Sequence, residues 1–267
     1  MTGTDYIGFK DIPVANPPWV RDANVTHAWS ARPDKITWQG SPGGEGSSIQ
    51  SLAATKSAEP IGSTSGGAVA FHNSLVGLAA QYAQHSSGAS AFLVNSPVGA
   101  AASGTAVPVS IAIAGKLNAA PNYAGATGAQ WVLFAFCRDA SVTPFLAVIG
   151  SRGSTDCVLQ RRNNAGAADT GATLSLGTSP FVLVCIYSGT TFTTRLNGVV
   201  IDNAISAGSG GACTLDRFGV GGFRPDSAGG GLYSDLLWTN IIVGTGVAWG
   251  SATYKPIETY LRRKLGV

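Results

Sequence analysis

The chain is poor in charge. Asp, Glu, Lys and Arg make up 12% of its 267 residues, about half the usual share. A net charge of +3 provides no basic field of the kind that nucleic acid requires, so no nucleic-acid partner is expected. The nearest basic cluster, Arg262, Arg263 and Lys264, falls in the last turn of a predicted helix, where cations answer the helix dipole. Glutamate is scarcer still: Glu45, Glu59 and Glu258 are the whole supply. Glycoside hydrolysis needs two carboxylates roughly 5–9 Å apart across the sugar bond. No predicted strand carries two acids at alternate positions, so no catalytic residues are expected and the chain reads as a non-enzyme.

Other absences narrow the reading further. The four cysteines, Cys137, Cys157, Cys185 and Cys213, form no CxxC pair, which removes the zinc and thioredoxin readings and leaves four reduced thiols as the expectation. His27, His72 and His85 have no G-x-S-x-G elbow to serve, so plain polar contacts are expected of them. The acids Asp156, Asp202, Asp216 and Asp226 form no D-x-D-x-D ladder of the kind calcium demands. Neither a metal nor a cofactor is expected. The N-terminus shows no charged start followed by an apolar stretch, so no signal peptide is read there. The longest charge-poor apolar stretch, from Val98 to Gly115, is interrupted by Ser103, Pro108 and glycines, and no membrane span or membrane partner is expected.

What is present is apolar and small. Hydrophobic residues reach 45% and glycine numbers 36, enough for a full core with many turns. Residues 1–24 hold Pro13, Pro17 and Pro18 with Tyr6, Phe9 and Trp19 between them. Prolines remove ladder donors, so this segment reads as an extended arm before a domain at 25–267. Such an arm packs back on its own domain or reaches onto a neighbour; in the second case Tyr6, Phe9 and Trp19 are the assembly contacts, because aromatic anchors dominate protein interfaces. Residues 40–67 read as long loops with at most one short strand. From Pro60 to Gly115 there is no Asp, Glu, Lys or Arg at all. A free surface normally mixes charges, so this run fits a face covered by another subunit; a low-charge surface of Ser, Gln and Asn is the other reading.

Strand signals are clear from Val107 onward. Val107, Val109, Ile111 and Ile113 alternate with smaller residues at period two, with Pro108 at the strand's start or at a sheet edge. WVLFAFC at 131–137, FLAVIG at 145–150 and FVLVCIY at 181–187 are continuous apolar runs, as for strands covered on both faces. Asn197-Gly198 between β-formers predicts a two-residue hairpin turn, and a further strand is read from Leu232 to Val243. Turn signals recur at sandwich spacing, with no helix alternating between strands. One helix closes the chain: Ile257, Tyr260, Leu261 and Leu265 form a single stripe, with Pro256 placed in the first turn and Gly266 after the last.

This order of features resembles a known family. FVLVCIYSGTTFTTRLNGVVIDN resembles the hairpin of laminin G-like domains, RFGVGGFRPDSAGGGLYSDLLWTNIIV their next unit, and IETYLRRKLGV the closing helix of concanavalin A-like domains in phage virion and bacterial surface proteins. AWSA at 28–31, ITWQ at 36–39 and AVAF at 68–71 resemble the opening strands. The resemblance implies an all-β fold, an antiparallel concanavalin A-like β-sandwich (jelly roll) with a short C-terminal helix. It further implies a non-enzymatic virion structural protein, a capsid decoration or another displayed head or tail module. Its partners would be other virion proteins and copies of itself, and its place the virion, made in the host cytoplasm without a signal peptide. The alternative is a glycan-binding module of a tail fibre or surface protein, with a cell-surface glycan as partner. For that reading Arg224, Asp226 and Tyr233, with Trp249, supply the polar groups and the aromatic platform of a sugar site. The other reading of these residues has Tyr233 and Trp249 packed under the loops and Arg224 paired with Asp226.

Overall fold

A computed structural model describes residues 17–30, 36–39, 45–49, 61–63, 69–72, 82–84, 92–94, 107–121, 130–137, 144–206, 213, 215, 217–221, 234 and 236–267. They form two antiparallel sheets packed as a sandwich, closed by one helix. The first sheet runs β1 (His27–Ser30), β17 (Leu236–Thr245), β8 (Val109–Leu117), β13 (Phe181–Tyr187), β14 (Thr191–Leu196), β15 (Val199–Ser206). The second runs β4 (Ile61–Ser63), β7 (Phe92–Val94), β16 (Arg217–Val220), β9 (Gln130–Cys137), β10 (Pro144–Ser151), β11 (Asp156–Arg162), β12 (Ala168–Ser175). Four short strands join the sheets: β2 (Ile36–Gln39) and β4 both pair β3 (Glu45–Ile49), and β3 leads through β5 (Val69–His72) and β6 (Tyr82–Gln84) to β17. The Gly- and Ser-rich stretch at 40–67, expected to hold at most one strand, therefore supplies two. Cross-strand pairing outweighs the low β-propensity of such residues, because propensity largely reports packing context.

The alternation in β8 sorts its residues between two cores. Val109, Ile111 and Ile113 face the second sheet, in the core that also holds Phe181, Leu183 and Trp238. Ala112 and Ala114 face outward. On β13 the same rule sends Phe181, Leu183, Cys185 and Tyr187 inward and Val182, Val184 and Ile186 outward. The outward set is buried because the helix α1 (Ser251–Leu265) lies over it through Ile257, Leu261 and Leu265. Each such aliphatic side chain contributes roughly 1.5–3 kcal/mol when fully buried. The small Ala112 and Ala114 let the helix approach, which is why FVLVCIY reads as an unbroken apolar run. One bulge, between Trp238 and Asn240 on β17, keeps Trp238, Ile241 and Val243 on the inner face.

The helix begins earlier than the sequence suggests. Gly250 is its N-terminal cap residue and Ser251 its first, so Pro256 lies in the second turn rather than the first. The ring removes one N–H; the carbonyl it frees belongs to Ala252, on the exposed side, where water can meet it. At the other end Gly266 adopts φ 73° and donates to the Arg262 carbonyl at 2.8 Å, a left-handed cap.

Trp19 is not an assembly contact, which corrects the expectation for that residue of the arm. A short 3-10 turn, Pro18–Arg21, sets the indole edge-on against Tyr260, with ring centroids 4.4 Å apart, and Trp19 is 2% exposed. A side chain so placed is part of the helix-side core and cannot anchor a neighbour. Tyr6 and Phe9 lie outside the described residues.

The hairpin turn falls on Asn197-Gly198 as expected, with φ of 51° and 86°. Both angles are positive, the type I′ condition. Gly198→Val is expected to cost about 1–3 kcal/mol, the range for a strained backbone site, read as a shift in the urea midpoint; an unchanged midpoint would contradict the turn's role.

Candidate functional site

The described residues bring polar groups together in one seam between the sheets. β11 alternates inward Cys157, Leu159 and Arg161 with outward neighbours. Arg161 is therefore carried into the interior by the same period that carries the apolar residues. Its Nε donates to the Tyr187 hydroxyl at 3.0 Å, and that hydroxyl donates to the Gly189 carbonyl at 2.8 Å. Its Nη1 lies 3.6 Å from the Asp169 carboxylate on β12, directly across the ladder. The guanidinium also hydrogen-bonds the Cys213 thiol. A buried cation with this many partners is held in place, and the seam around it is ordered.

Beside it, Cys185, Thr194 and Asp202 sit abreast on β13, β14 and β15, because directly paired residues share a face. Asp202 is buried, and both of its oxygens accept from the Ala172 N–H, at 3.0 and 2.9 Å. That N–H belongs to a bulge in β12, where the ladder slips between Val158 and Gln160. Gly171 makes the approach feasible: a Cβ there would stand 2.4 Å from Asp202 Oδ2. Asp202 is thus a strand residue joining the two sheets.

Thiol chemistry is suppressed in this seam. Burial pushes the Cys157 thiol from its ordinary 9.0 to about 12, with the Asp156 charge adding to the effect. Burial also raises Cys213 to about 11, against the opposing pull of Arg161. Cys185 is raised as well, first by burial and then by Cys157 and Asp202. Thiolates are the reactive form, so alkylation of the native protein at pH 8 is expected to label none of these three. Denaturation without reductant should expose all four cysteines of the chain; rapid native labelling of Cys157 or Cys185 would contradict the assignment. Unfolded thiols ionise near 9 while the buried ones stay protonated, so stability falls as pH rises above that value.

Five acids whose side chains are described are engaged structurally. Asp22 accepts from the Asn24 N–H, Asp156 from the Ser175 hydroxyl, Asp169 faces Arg161, Asp202 holds Ala172, and Glu258 takes Arg195 through both oxygens. Among the described residues no group of three His, Cys, Asp or Glu is placed to hold a metal ion. His27 stacks on Trp29 with ring centroids 5.3 Å apart, and its Nδ1 lies 3.0 Å from the Thr26 hydroxyl.

Of the four residues read as a sugar site, Trp249 is the one described, and it is corrected. It is 3% exposed; its indole N–H donates to the Asn24 carbonyl at 3.0 Å and its backbone N–H to Ser110 Oγ at 2.9 Å. A sugar platform needs an open ring face, and this ring ties the segment before β1 to the end of β17. Arg224, Asp226 and Tyr233 lie outside the described residues.

No protein-family model and no curated protein matches the sequence. Solved structures do match. The binding domain of botulinum neurotoxin serotype G aligns with TM-score 0.58 at 8% identity, over 89% of this chain and 51% of that one. The serotype D ligand-binding domain, in complex with N-acetylneuraminic acid, aligns at 0.56 and 8% over 90% and 51%. Trypanosoma rangeli sialidase in complex with sialic acid aligns at 0.57 and 11% over 92% and 34%. The chain spans about half the length of the neurotoxin domains it matches and about a third of the sialidase. The likeness is one of fold, a lectin-like β-sandwich, and such a fold hosts both binding domains and enzymes.

Proposed function

We propose that the chain is a non-enzymatic recognition module that binds a cell-surface glycan through the loops at one rim of its sandwich. The observation that carries this reading is a sandwich shared with ligand-binding domains, in which the acids Asp22, Asp156, Asp169, Asp202 and Glu258, among the described residues, are engaged in structural bonds. Loop residues Arg224, Asp226 and Tyr233 remain the proposed contacts, without Trp249. A glycan array carrying neutral and sialylated sugars tests the reading. Reproducible binding that is lost in Tyr233→Ala or Arg224→Ala supports it, and silence across the array ends it.

A second reading, a virion structural protein of a phage, is favoured by the uncharged run from Pro60 to Gly115, which suits a face covered by a neighbouring subunit. Labelling of purified virions with an antibody against the chain tests it; particles that never carry the label exclude it. The two readings combine in a displayed adhesive module, for which both experiments succeed.

A further inference from the structure

Asn197 is the one asparagine of the chain that is followed by glycine. That pair carries a chemistry of its own. The backbone nitrogen that follows an asparagine lies within reach of the side-chain carbonyl carbon, and its attack there closes a cyclic imide. The reaction is intramolecular, so the geometry of the turn governs it. A side chain on the second residue crowds the nitrogen, and glycine leaves its path open. In a folded protein the outcome depends on how the amide is held, whether the nitrogen is engaged, and whether water reaches both.

The hairpin tip meets all of these conditions. The Asn197 backbone N–H donates to the Val182 carbonyl at 2.9 Å, and its side-chain Oδ1 accepts from the Val182 N–H at 2.7 Å. The side-chain carbonyl is thereby fixed and polarised against β13. When a nitrogen adds to Cγ, negative charge develops on that same Oδ1, at which the Val182 N–H is already aimed. The Gly198 nitrogen is the attacking group. Among the described residues no hydrogen bond engages its N–H, because the ladder closes on Leu196 and Val199 to either side of it. Asn197 and Gly198 are both half-buried at the tip, so water reaches them.

We propose that Asn197 is a site of spontaneous modification in the folded protein, converted through a cyclic imide to aspartate and isoaspartate. The Gly198 nitrogen bonds to Asn197 Cγ and gives up its proton; the Cγ–Nδ2 bond breaks and ammonia leaves with that proton. Water then opens the imide. Opening at the side-chain carbonyl gives aspartate, and opening at the main-chain carbonyl gives isoaspartate. No electrons are exchanged: amide and water become acid and ammonia, and each event lowers the net charge of +3 by one. The two products act differently on the fold. Aspartate keeps an oxygen for the Val182 N–H and leaves the backbone as it was. Isoaspartate routes the main chain through Cβ, adding an atom to a turn whose two residues are already at positive φ. Leu196 and Val199 then lose their register, and the Gly198 carbonyl is drawn off Arg195 Nη2, which holds it at 2.6 Å. Arg195 is the residue that ties the hairpin to α1. The modification therefore loosens the hairpin from the helix slowly and in one direction, and it is independent of any glycan at the rim.

Peptide mapping of the full chain tests it, with samples held at pH 8 both folded and in urea and digested with trypsin at intervals. The tryptic peptide 196–217 carries Asn197 together with Asn203, which is the more exposed of the two and is followed by alanine. In the folded sample acid should accumulate at Asn197 while Asn203 stays an amide. Part of the product should accept a methyl group from an isoaspartyl methyltransferase. Gly198→Ala, whose added Cβ shields the nitrogen, should abolish the conversion within the same incubation. Should that variant prove too strained to fold, the comparison of Asn197 with Asn203 in the parent chain still decides. Asn197→Asp, which reproduces one product, should melt like the parent, whereas aged protein rich in isoaspartate should melt lower. An Asn197 that stays an amide in the folded chain and converts in urea overturns the proposal, because the turn then protects the residue. So does equal conversion at Asn203, or a folded Gly198→Ala variant that converts as fast as the parent.

Discussion

Trp19→Ala is expected to destabilise the domain by about 3–5 kcal/mol, the range for truncating a buried aromatic. The indole fills the space between the start of the described chain and Tyr260, on the helix side of the first sheet. Removing it opens a cavity that the helix cannot close without leaving Val182 and Val184. Urea unfolding followed by tryptophan fluorescence would register the loss as a lower midpoint with an unchanged slope. An arm that served only for attachment would give a near-neutral substitution, as would a chain truncated at Asn24, so the same experiment separates the two roles of this segment.

Glu258→Ala should cost about 3 kcal/mol, because removing one member of a buried ion pair strands the other. Arg195 donates to Glu258 through Nε and Nη2, at 3.0–3.2 Å, and through Nη2 to the Gly198 carbonyl as well. Its guanidinium carbon lies 5.1 Å from the Tyr254 ring centroid. These bonds tie the hairpin to α1, so the loss should appear as earlier release of the helix. The double variant Arg195→Met with Glu258→Leu should recover most of the stability, since an apolar pair of similar volume replaces the ions without a desolvation cost. If the double variant were as unstable as the single one, the pair would be making a net favourable contribution and this account would be wrong.

The sandwich was legible where period and turn chemistry are strong. The alternation at Val109–Ile113, the run at 181–187 and the Asn197-Gly198 turn each gave a strand or turn at its expected place. The opening strands at 27–30 and 36–39 also lie where AWSA and ITWQ suggested. The start of α1 is not legible, because proline signals a first turn, whereas packing of Ile257 and Leu261 carries the helix through Pro256 from Ser251. The seam was not found, although a signal existed. Arg161 stands in phase with Cys157 and Leu159, and a charge at an inward position of a strand marks a buried polar group awaiting partners. Those partners, Tyr187, Asp169 and Cys213, are far from it in sequence or on other strands, and no local pattern connects them. The burial of Trp19 and Trp249 is not legible for one reason: an aromatic beside prolines or loops looks the same in sequence whether it faces outward or lies under a helix.

Asp202 has a consequence beyond holding two strands together. β12 and β15 are each paired on one side only among the described strands, and each would otherwise offer a row of backbone groups to any extended peptide that came by. In most sandwiches such borders are blunted by lysines that point into solvent. β12 has no lysine; its bulged N–H at Ala172 is already taken by a carboxylate reaching from the opposite sheet. The protein therefore guards this border from within, by satisfying the group that would recruit another strand. Among the described residues, protection of the β12 border against strand addition falls on a single buried aspartate and the glycine that makes room for it.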